Sequence, residues 1–331
     1  TNNYDFAELL SEFLGELNAS HTGARYSGRG SSRPTASLGV FYDNEYVGEG
    51  VKIKEILKLG PLGKAKSKVR EGSIITKIDG VEIKEGMDFY PLLAGKVAEQ
   101  VLLTFKNGNK EYEEWVKPIS YGAQRELLYK RWVDRCRAEV DRLSEGKLGY
   151  VHIRGMDGDS FREVYAELLG RSRNKEAVVI DTRFNGGGWL HDDLVTLLSG
   201  KEYQRYEPRG QYIGSDPYSK WLKPSVVLMS EANYSNAHGF PWLYKELKIG
   251  KLIGAPVPGT MTAVWWETQI DPSIVFGIPE VGVKDMRGNY LENLELFPDI
   301  EVYNDPKSTL EGEDKQLEKA VEYLLEHEVK N

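Results

Sequence analysis

The stretch "NYSNAHG", residues 233–239, places Ser235 just after the apolar run "SVVLM" and three positions before His238. A serine hydroxyl is a poor nucleophile until a base accepts its proton, so Ser235 carries chemistry only if the fold brings it such a partner. Otherwise it is a polar residue where a strand gives way to a helix. A second candidate is "FNGGGW", residues 184–189. Three glycines let backbone N–H groups approach a ligand with no β-carbon in the way, as the stabilisation of a developing oxyanion requires. The run equally suits a flexible loop that permits tight packing, and it lacks the spacing of either common phosphate signature.

Five histidines are available as the base. His152 sits in a strand pattern, His191 opens a helix beside Asp192 and Asp193, and His327 lies in a charged terminal helix. A structural or surface role accounts for each. His238 begins the helix after Ser235 and is expected to point away from it. His21, in "NASHTG", is flanked by hydroxyls able to fix its tautomer, and its remoteness in sequence is no objection. No second histidine stands at ligand spacing from "HDD", so Asp192 and Asp193 read as acids at a helix N-terminus rather than metal ligands.

These residues need elements to position them. Residues 4–18 place Phe6, Leu9, Leu10, Phe13, Leu14 and Leu17 on one helical face, and the Gly, Ser and Pro of "YSGRGSSRPTAS" then predict a linker, with a boundary near residue 30. From residue 37 short strand patterns follow one another: "SLGVFY", "GVKIKEIL", "GSIITKIDGVEI" and "QVLLTF". An amphipathic helix spans 122–144. From "LGYVHI" at 148 strands and helices alternate, through "EAVVIDTR", "FNGGGW", "LHDDLVTLLSG", "SVVLMS" and "HGFPWLYKELK", and the tail from 310 is a charged helix. That alternation predicts a largely parallel sheet with helices on its faces. Ligands bind such sheets at the carboxyl ends of the strands, where both candidate loops fall.

The 331 residues suffice for two or more domains. A formal net charge of -8 and a pI near 5.4 argue against a broad basic surface, and so against nucleic acid as a partner. No apolar run approaches the roughly 20 residues of a membrane span, and the first residues lack the pattern of a secretory signal. Cys136, the one cysteine, recurs at helical spacing with Leu128, Trp132 and Val140, which predicts a packing role. With no internal disulfide to form, a soluble chain of this kind fits the cytoplasm, the periplasm or secretion alike.

Across nearly its full length the sequence resembles the tricorn branch of the family that also holds the C-terminal processing proteases, serine peptidases with a PDZ domain and a crotonase-like or ClpP-like α/β core. "SLGVF" is similar to a PDZ peptide-binding loop, which points to Leu38, Gly39 and Val40. "VREGSIITKIDGVEI" is similar to a later PDZ stretch, with Ser73 where an aspartate is usual. "DTRFNGGG" resembles the segment that supplies an oxyanion-hole amide, which implies Gly187. "NYSNAHGFPWLYKELKIGKLIGAPVPGT" resembles the nucleophile segment, which implies Ser235 as nucleophile and the Asn236 amide as second oxyanion donor. Asn236 stands where the family often has aspartate.

C-terminal processing proteases pair the serine with a lysine about two dozen residues on, but "GAPVPGTMTAV" has none. The tricorn branch uses an adjacent Ser-His pair and a late glutamate, and "NASHTG" supplies Ser20 and His21. "YLENLELFPDIEV" resembles the glutamate segment and points to Glu292, with Glu295 replacing a usual glycine. The resemblance therefore implies a multidomain α/β chain. It implies an N-terminal helical subdomain of residues 1–30 with helix 119–147, a PDZ-like domain over 31–118 and the peptidase core over 148–331; the upstream β-propellers of the tricorn branch are not among these residues, as expected of either a fragment or a shorter relative. It implies a serine endopeptidase or oligopeptidase acting on peptides or unfolded polypeptide, with no metal and no organic cofactor. Family members assemble in different ways, so a homo-oligomer is allowed but not specified. The rival reading is a catalytically inactive PDZ/crotonase-like peptide-binding scaffold. An acyl-CoA enzyme of the crotonase fold would leave the PDZ-like segment and the Ser20-His21 pair unexplained.

Overall fold

The computed structural model describes residues 2–28 and 33–329. The boundary expected near residue 30 lies outside the described residues. Two compact units result, one of Thr1–Gly28 with Cys136–Asn331, the other of Arg29–Arg135. The division falls inside the helix Tyr121–Leu143.

The larger unit is built on a five-stranded parallel sheet, in the spatial order Ile300–Glu301, Lys251–Gly254, Ser225–Met229, Ala177–Asp181 and Leu148–His152. Within this sheet each strand lies beside the next in chain order, although the strands Gln204–Tyr206 and Gly214–Asp216 and those of residues 262–282 intervene in sequence. Every residue of Leu148–His152, Ala177–Asp181 and Ser225–Met229 is buried, the mark of strands covered on both faces. Val178, Ile180, Val227 and Met229 share one core with Val164, Leu194, Leu198, Phe240 and Tyr244 of the helices Gly158–Ala166, His191–Leu198 and Asn236–Glu246. The helix Lys315–His327 packs on the three central strands and buries Leu317, Ala320, Val321 and Leu324.

At the end of the second strand Asp181 and Arg183 form a buried ion pair at 2.7 Å. Arg183 continues to Asp314, the N-cap of the last helix, at 2.8 Å. Burial pushes the Asp181 carboxyl up, but the guanidinium beside it outweighs that and holds it below the usual carboxylate range. This network anchors the start of the glycine loop. Cys136 is buried, as its spacing predicts, and burial above all pushes its thiol up to about 12, which leaves it inert as a nucleophile.

The N-terminal segment is less separate than a linker pattern suggests. After the helix Asn3–Gly15, the strand Gly23–Tyr26 pairs antiparallel with Ile274–Gly277, which in turn pairs with Glu267–Thr268. In the helix only Ala7 and Leu14 are buried, while Phe6, Leu9 and Phe13 are exposed.

The smaller unit is an antiparallel sheet in the order Val40–Tyr42, Val51–Ile56, Ile74–Ile78, Val101–Asn107 and Lys110–Val116, with Val81–Glu82 on Ile74–Ile78. Leu38 and Val40 are buried in its core. Gly39 has φ +69°, and a β-carbon there would lie 2.7 Å from Pro61, so this turn needs glycine. Val40–Tyr42 is an edge strand beside a cavity of about 230 Å³ lined by Leu38, Val40, Tyr42, Tyr90 and Leu93. Ser73 braces its turn by accepting from the Arg70 N–H at 2.8 Å and donating to Asn107.

Candidate active site

The two loops expected to meet do so at the carboxyl ends of adjacent strands. Asn185 is fully buried and stitches them: its Nδ2 donates to the Ile153 carbonyl at 2.8 Å, its Oδ1 accepts from the Gly187 N–H at 2.8 Å, and its backbone carbonyl accepts from the Tyr234 N–H at 3.0 Å. Asn233, also buried, donates to Thr182 Oγ1 at 2.8 Å. Amide side chains suit this junction because each satisfies a donor and an acceptor at once.

Ser235 has φ 56° and ψ -122°, a conformation that L-residues seldom adopt outside tight or functional turns. The turn lifts it to the N-cap of the helix Asn236–Glu246, where the Asn236 N–H is one of the helix donors without an intrahelical acceptor. Gly187 faces this turn with φ +95°, and a β-carbon on it would lie 2.7 Å from Ser235 Cβ and from the Tyr234 carbonyl. The close approach of backbone to backbone, rather than flexibility, is what the glycine provides. Its own N–H donates to Asn185 Oδ1 at 2.8 Å, so that amide is held within its loop.

The Asn236 side chain does something unforeseen in the sequence. Its Oδ1 accepts from the N–H groups of Leu190 and His191 at 2.8 and 3.0 Å, capping the helix His191–Leu198 that follows the glycine loop. Two donors on Oδ1 fix the amide orientation, so Nδ2 donates to His191 Nδ1, 2.6 Å away. Asp192 and Asp193 lie in the first turn of that helix, as expected of acids there.

Ser20, His21 and Glu292 come together although 272 residues separate the first and last. Glu292 accepts from the Ser20 backbone N–H through Oε1 and from Ser20 Oγ through Oε2 at 3.0 Å. Ser20 Oγ lies 2.8 Å from His21 Nδ1. With the serine hydrogen directed at a carboxylate, Ser20 Oγ presents a lone pair to the ring, which favours hydrogen on Nδ1 and leaves Nε2 basic. His21 itself has φ 63°. Burial lowers its pKa, and the Glu292 charge opposes that shift in part, so the ring is neutral at neutral pH.

Tyr234, next to Ser235, accepts from the His21 N–H at 2.8 Å and stacks tilted against the ring at 4.8 Å between centroids. Among the described residues Ser235 Oγ makes no hydrogen bond to His21, and Nε2 has no partner. Glu295 lines with Ser20, Tyr234 and Glu292 an open cavity of about 490 Å³, and its presence does not prevent Glu292 from reaching Ser20.

Apart from His191, which meets Asn236 Nδ2, the other histidines bond elsewhere or not at all. His152 meets the Arg183 carbonyl at 3.0 Å, and His327 stacks on Tyr323. His238 is fully buried with neither ring nitrogen bonded. Sequence reasoning missed Tyr234, Thr260 and Thr262, for which the available signals were an aromatic beside the serine and two hydroxyls at a strand's two-residue period.

Residues 147–302 match the family model described as Peptidase family S41, and residues 46–120 match the Tricorn protease PDZ domain. The Tricorn protease of Thermoplasma acidophilum is 25% identical over 343 residues, covering 98% of this chain and 31% of that protein. A Tricorn protease homolog of Saccharolobus solfataricus is 28% identical over 335 residues, covering 97% and 31%. The crystal structure of the tricorn protease superposes with a TM-score of 0.82 at 21% identity, over 98% of this chain and 32% of that one. The chain spans 25 to 38% of the length of the curated relatives it matches. Residues 147–302 thus carry the S41 peptidase match and residues 46–120 the Tricorn PDZ match, and over nearly its full length the chain is similar to tricorn proteases.

Proposed function

We propose that the chain is a serine peptidase that cleaves peptides or unfolded polypeptide through an acyl-enzyme. The observation that carries this reading is the hydrogen-bonded line from Glu292 through Ser20 Oγ to His21 Nδ1, which leaves Nε2 to act as base. Ser235 Oγ attacks the scissile carbonyl carbon and its proton passes to His21 Nε2. The tetrahedral oxyanion is met by the Asn236 N–H and by that of Gly187 once it leaves Asn185. Hydrogen bonds of this kind commonly tighten only in the substrate complex. The C–N bond then breaks, and the amine departs with the proton from His21. Water attacks the ester, His21 takes its proton, and Ser235 leaves with it as the acid product is freed. Ser20 and Glu292 hold the ring and offset its charge.

The core carrying these residues is read as crotonase-like or ClpP-like, in residues 148–331, with a PDZ-like domain over 31–118 and residues 1–30 supplying Ser20 and His21. The open edge of Val40–Tyr42 and the cavity beside it support strand addition by an extended peptide. The same edge would serve a peptide-binding scaffold without catalysis, which the Gly187 amide's bond to Asn185 favours. Mass spectrometry of a mixed peptide pool incubated with the chain and with Ser235→Ala separates the two. Cleavage by the unaltered chain, reduced roughly a thousandfold or more in the variant, is expected. Equal cleavage by both would overturn the assignment of Ser235. Peptide binding in calorimetry without any product would favour the scaffold.

A further inference from the structure

The segment "GTMTAV", singled out in the sequence for lacking a lysine, touches every part of the candidate site. Thr260 Oγ1 accepts the Ser235 backbone N–H at 2.8 Å. Two residues on, Thr262 Oγ1 lies 3.0 Å from His21 Nδ1 and 2.9 Å from Ser20 Oγ, and donates to the Ser20 carbonyl at 3.2 Å. Successive side chains of an extended segment alternate between faces, so residues 260 and 262 share one and Met261 takes the other. Met261 is buried, and a β-carbon on Gly239 of the nucleophile's helix would lie 2.6 Å from its Cε.

The same segment is braced on the stretch that follows the glutamate, through an isolated bridge. Val257 and Leu296 exchange backbone hydrogen bonds at 2.9 and 3.0 Å, and the Gly259 carbonyl accepts from the Asn293 N–H at 2.8 Å. Beyond it, Thr262–Val264 pairs antiparallel with Pro279–Gly282. One extended strip thus meets Ser235, Ser20, His21 and the neighbour of Glu292.

We infer that Thr260 and Thr262 are positioning residues, Thr260 fixing the nucleophile's turn and Thr262 fixing the His21 tautomer, so that this strip sets nucleophile and base in register. The inference rests on the proposed peptidase reading for its catalytic meaning. Because the Thr262 hydrogen is directed to the Ser20 carbonyl, its oxygen is an acceptor toward Nδ1. It therefore supports hydrogen on Nδ1 both in the neutral ring and in the imidazolium.

The test uses the full chain with Thr260→Val, Thr260→Ser, Thr262→Val and Thr262→Ser, with urea midpoints to verify folding. Thr262→Val is expected to lower kcat roughly tenfold to hundredfold with little change in KM, as one hydrogen bond to a charged group is lost. It should also move the acid limb of kcat/KM to lower pH, because the imidazolium loses an acceptor. Thr262→Ser should restore both. Thr260→Val should lower kcat and slow labelling of Ser235 by a fluorophosphonate without moving the acid limb, and Thr260→Ser should restore the rate.

Nitrogen-15 spectra of histidine-labelled protein, with His21 assigned through His21→Ala, read the tautomer whether or not the chain is active. A lower share of Nδ1–H in Thr262→Val supports the inference even if no peptide is cut, in which case the peptidase reading alone fails. An unchanged His21 tautomer in a folded Thr262→Val, or kcat retained in both valine variants of an active enzyme, overturns it.

Discussion

Gly187 and Ser235 approach so closely that no side chain fits between them: a β-carbon on the glycine would lie 2.7 Å from that of the serine. The backbone φ of +95° at Gly187 adds conformational strain to any replacement. Gly187→Ala is therefore expected to displace the nucleophile's turn and cut peptide hydrolysis by about 100-fold or more, comparable to losing an oxyanion donor. Steady-state kinetics, with circular dichroism to confirm the fold, checks this. Activity within a few fold of the unaltered chain would mean that the loop can withdraw.

The Asn236 side chain holds the glycine loop's exit to the helix Asn236–Glu246, so residue type at 236 matters beyond its backbone amide. Asn236→Ala strands the buried Leu190 N–H and the part-buried His191 N–H and should cost about 1–3 kcal/mol of stability. Asn236→Asp keeps the acceptor for both, adds favourable charge at a helix N-terminus and is expected to cost less. Urea unfolding of the two variants gives the ranking, and the reverse order would refute it.

The acid limb of activity should fall below 6.5, the ordinary imidazole value, because burial lowers the His21 pKa. The sign follows from the role: a base works when neutral, so activity climbs as pH rises through its pKa. Glu292 is the influence that raises that pKa, so Glu292→Gln should move the limb lower still while reducing kcat roughly tenfold to hundredfold. A limb that moved upward in this variant would remove Glu292 from the site.

His238 makes acid pH a stability variable. Burial drives its pKa from 6.5 to about 4, so between those values the unfolded chain binds a proton that the folded chain refuses. Its contribution is complete above 6.5 and is lost as pH falls toward 4, by about 3 kcal/mol at most. His238→Met should flatten that fall. Urea midpoints at pH 7.5 and 5 compare the slopes, and parallel slopes would show that the ring is charged or bonded in the fold.

The central parallel strands are legible in the sequence because burial on both faces leaves unbroken apolar runs such as "AVVI" and "SVVLM". Lys110–Val116 is not, since "KEYEEWV" alternates charge with partly covered side chains and gains its strand identity from Val101–Asn107. Lys251–Gly254 and Ile300–Glu301 are too short to signal themselves and exist as ladder partners. In the site, residue types flag Ser235, His21 and the glycines. The threonines of 260 and 262, and the link from Asn236 to His191, depend on contacts between distant segments that no local pattern encodes.

The strand Gly23–Tyr26 pairs with Ile274–Gly277, some 250 positions later, and the pairing stands directly beside Ser20 and His21. Such long-range closure comes late in folding. On the peptidase reading, a nascent chain that has exposed Ser235 but not yet residues 274–292 holds a nucleophile with no base fixed beside it. On that reading, hydrolytic power is expected only once residues 274–292 have joined the fold.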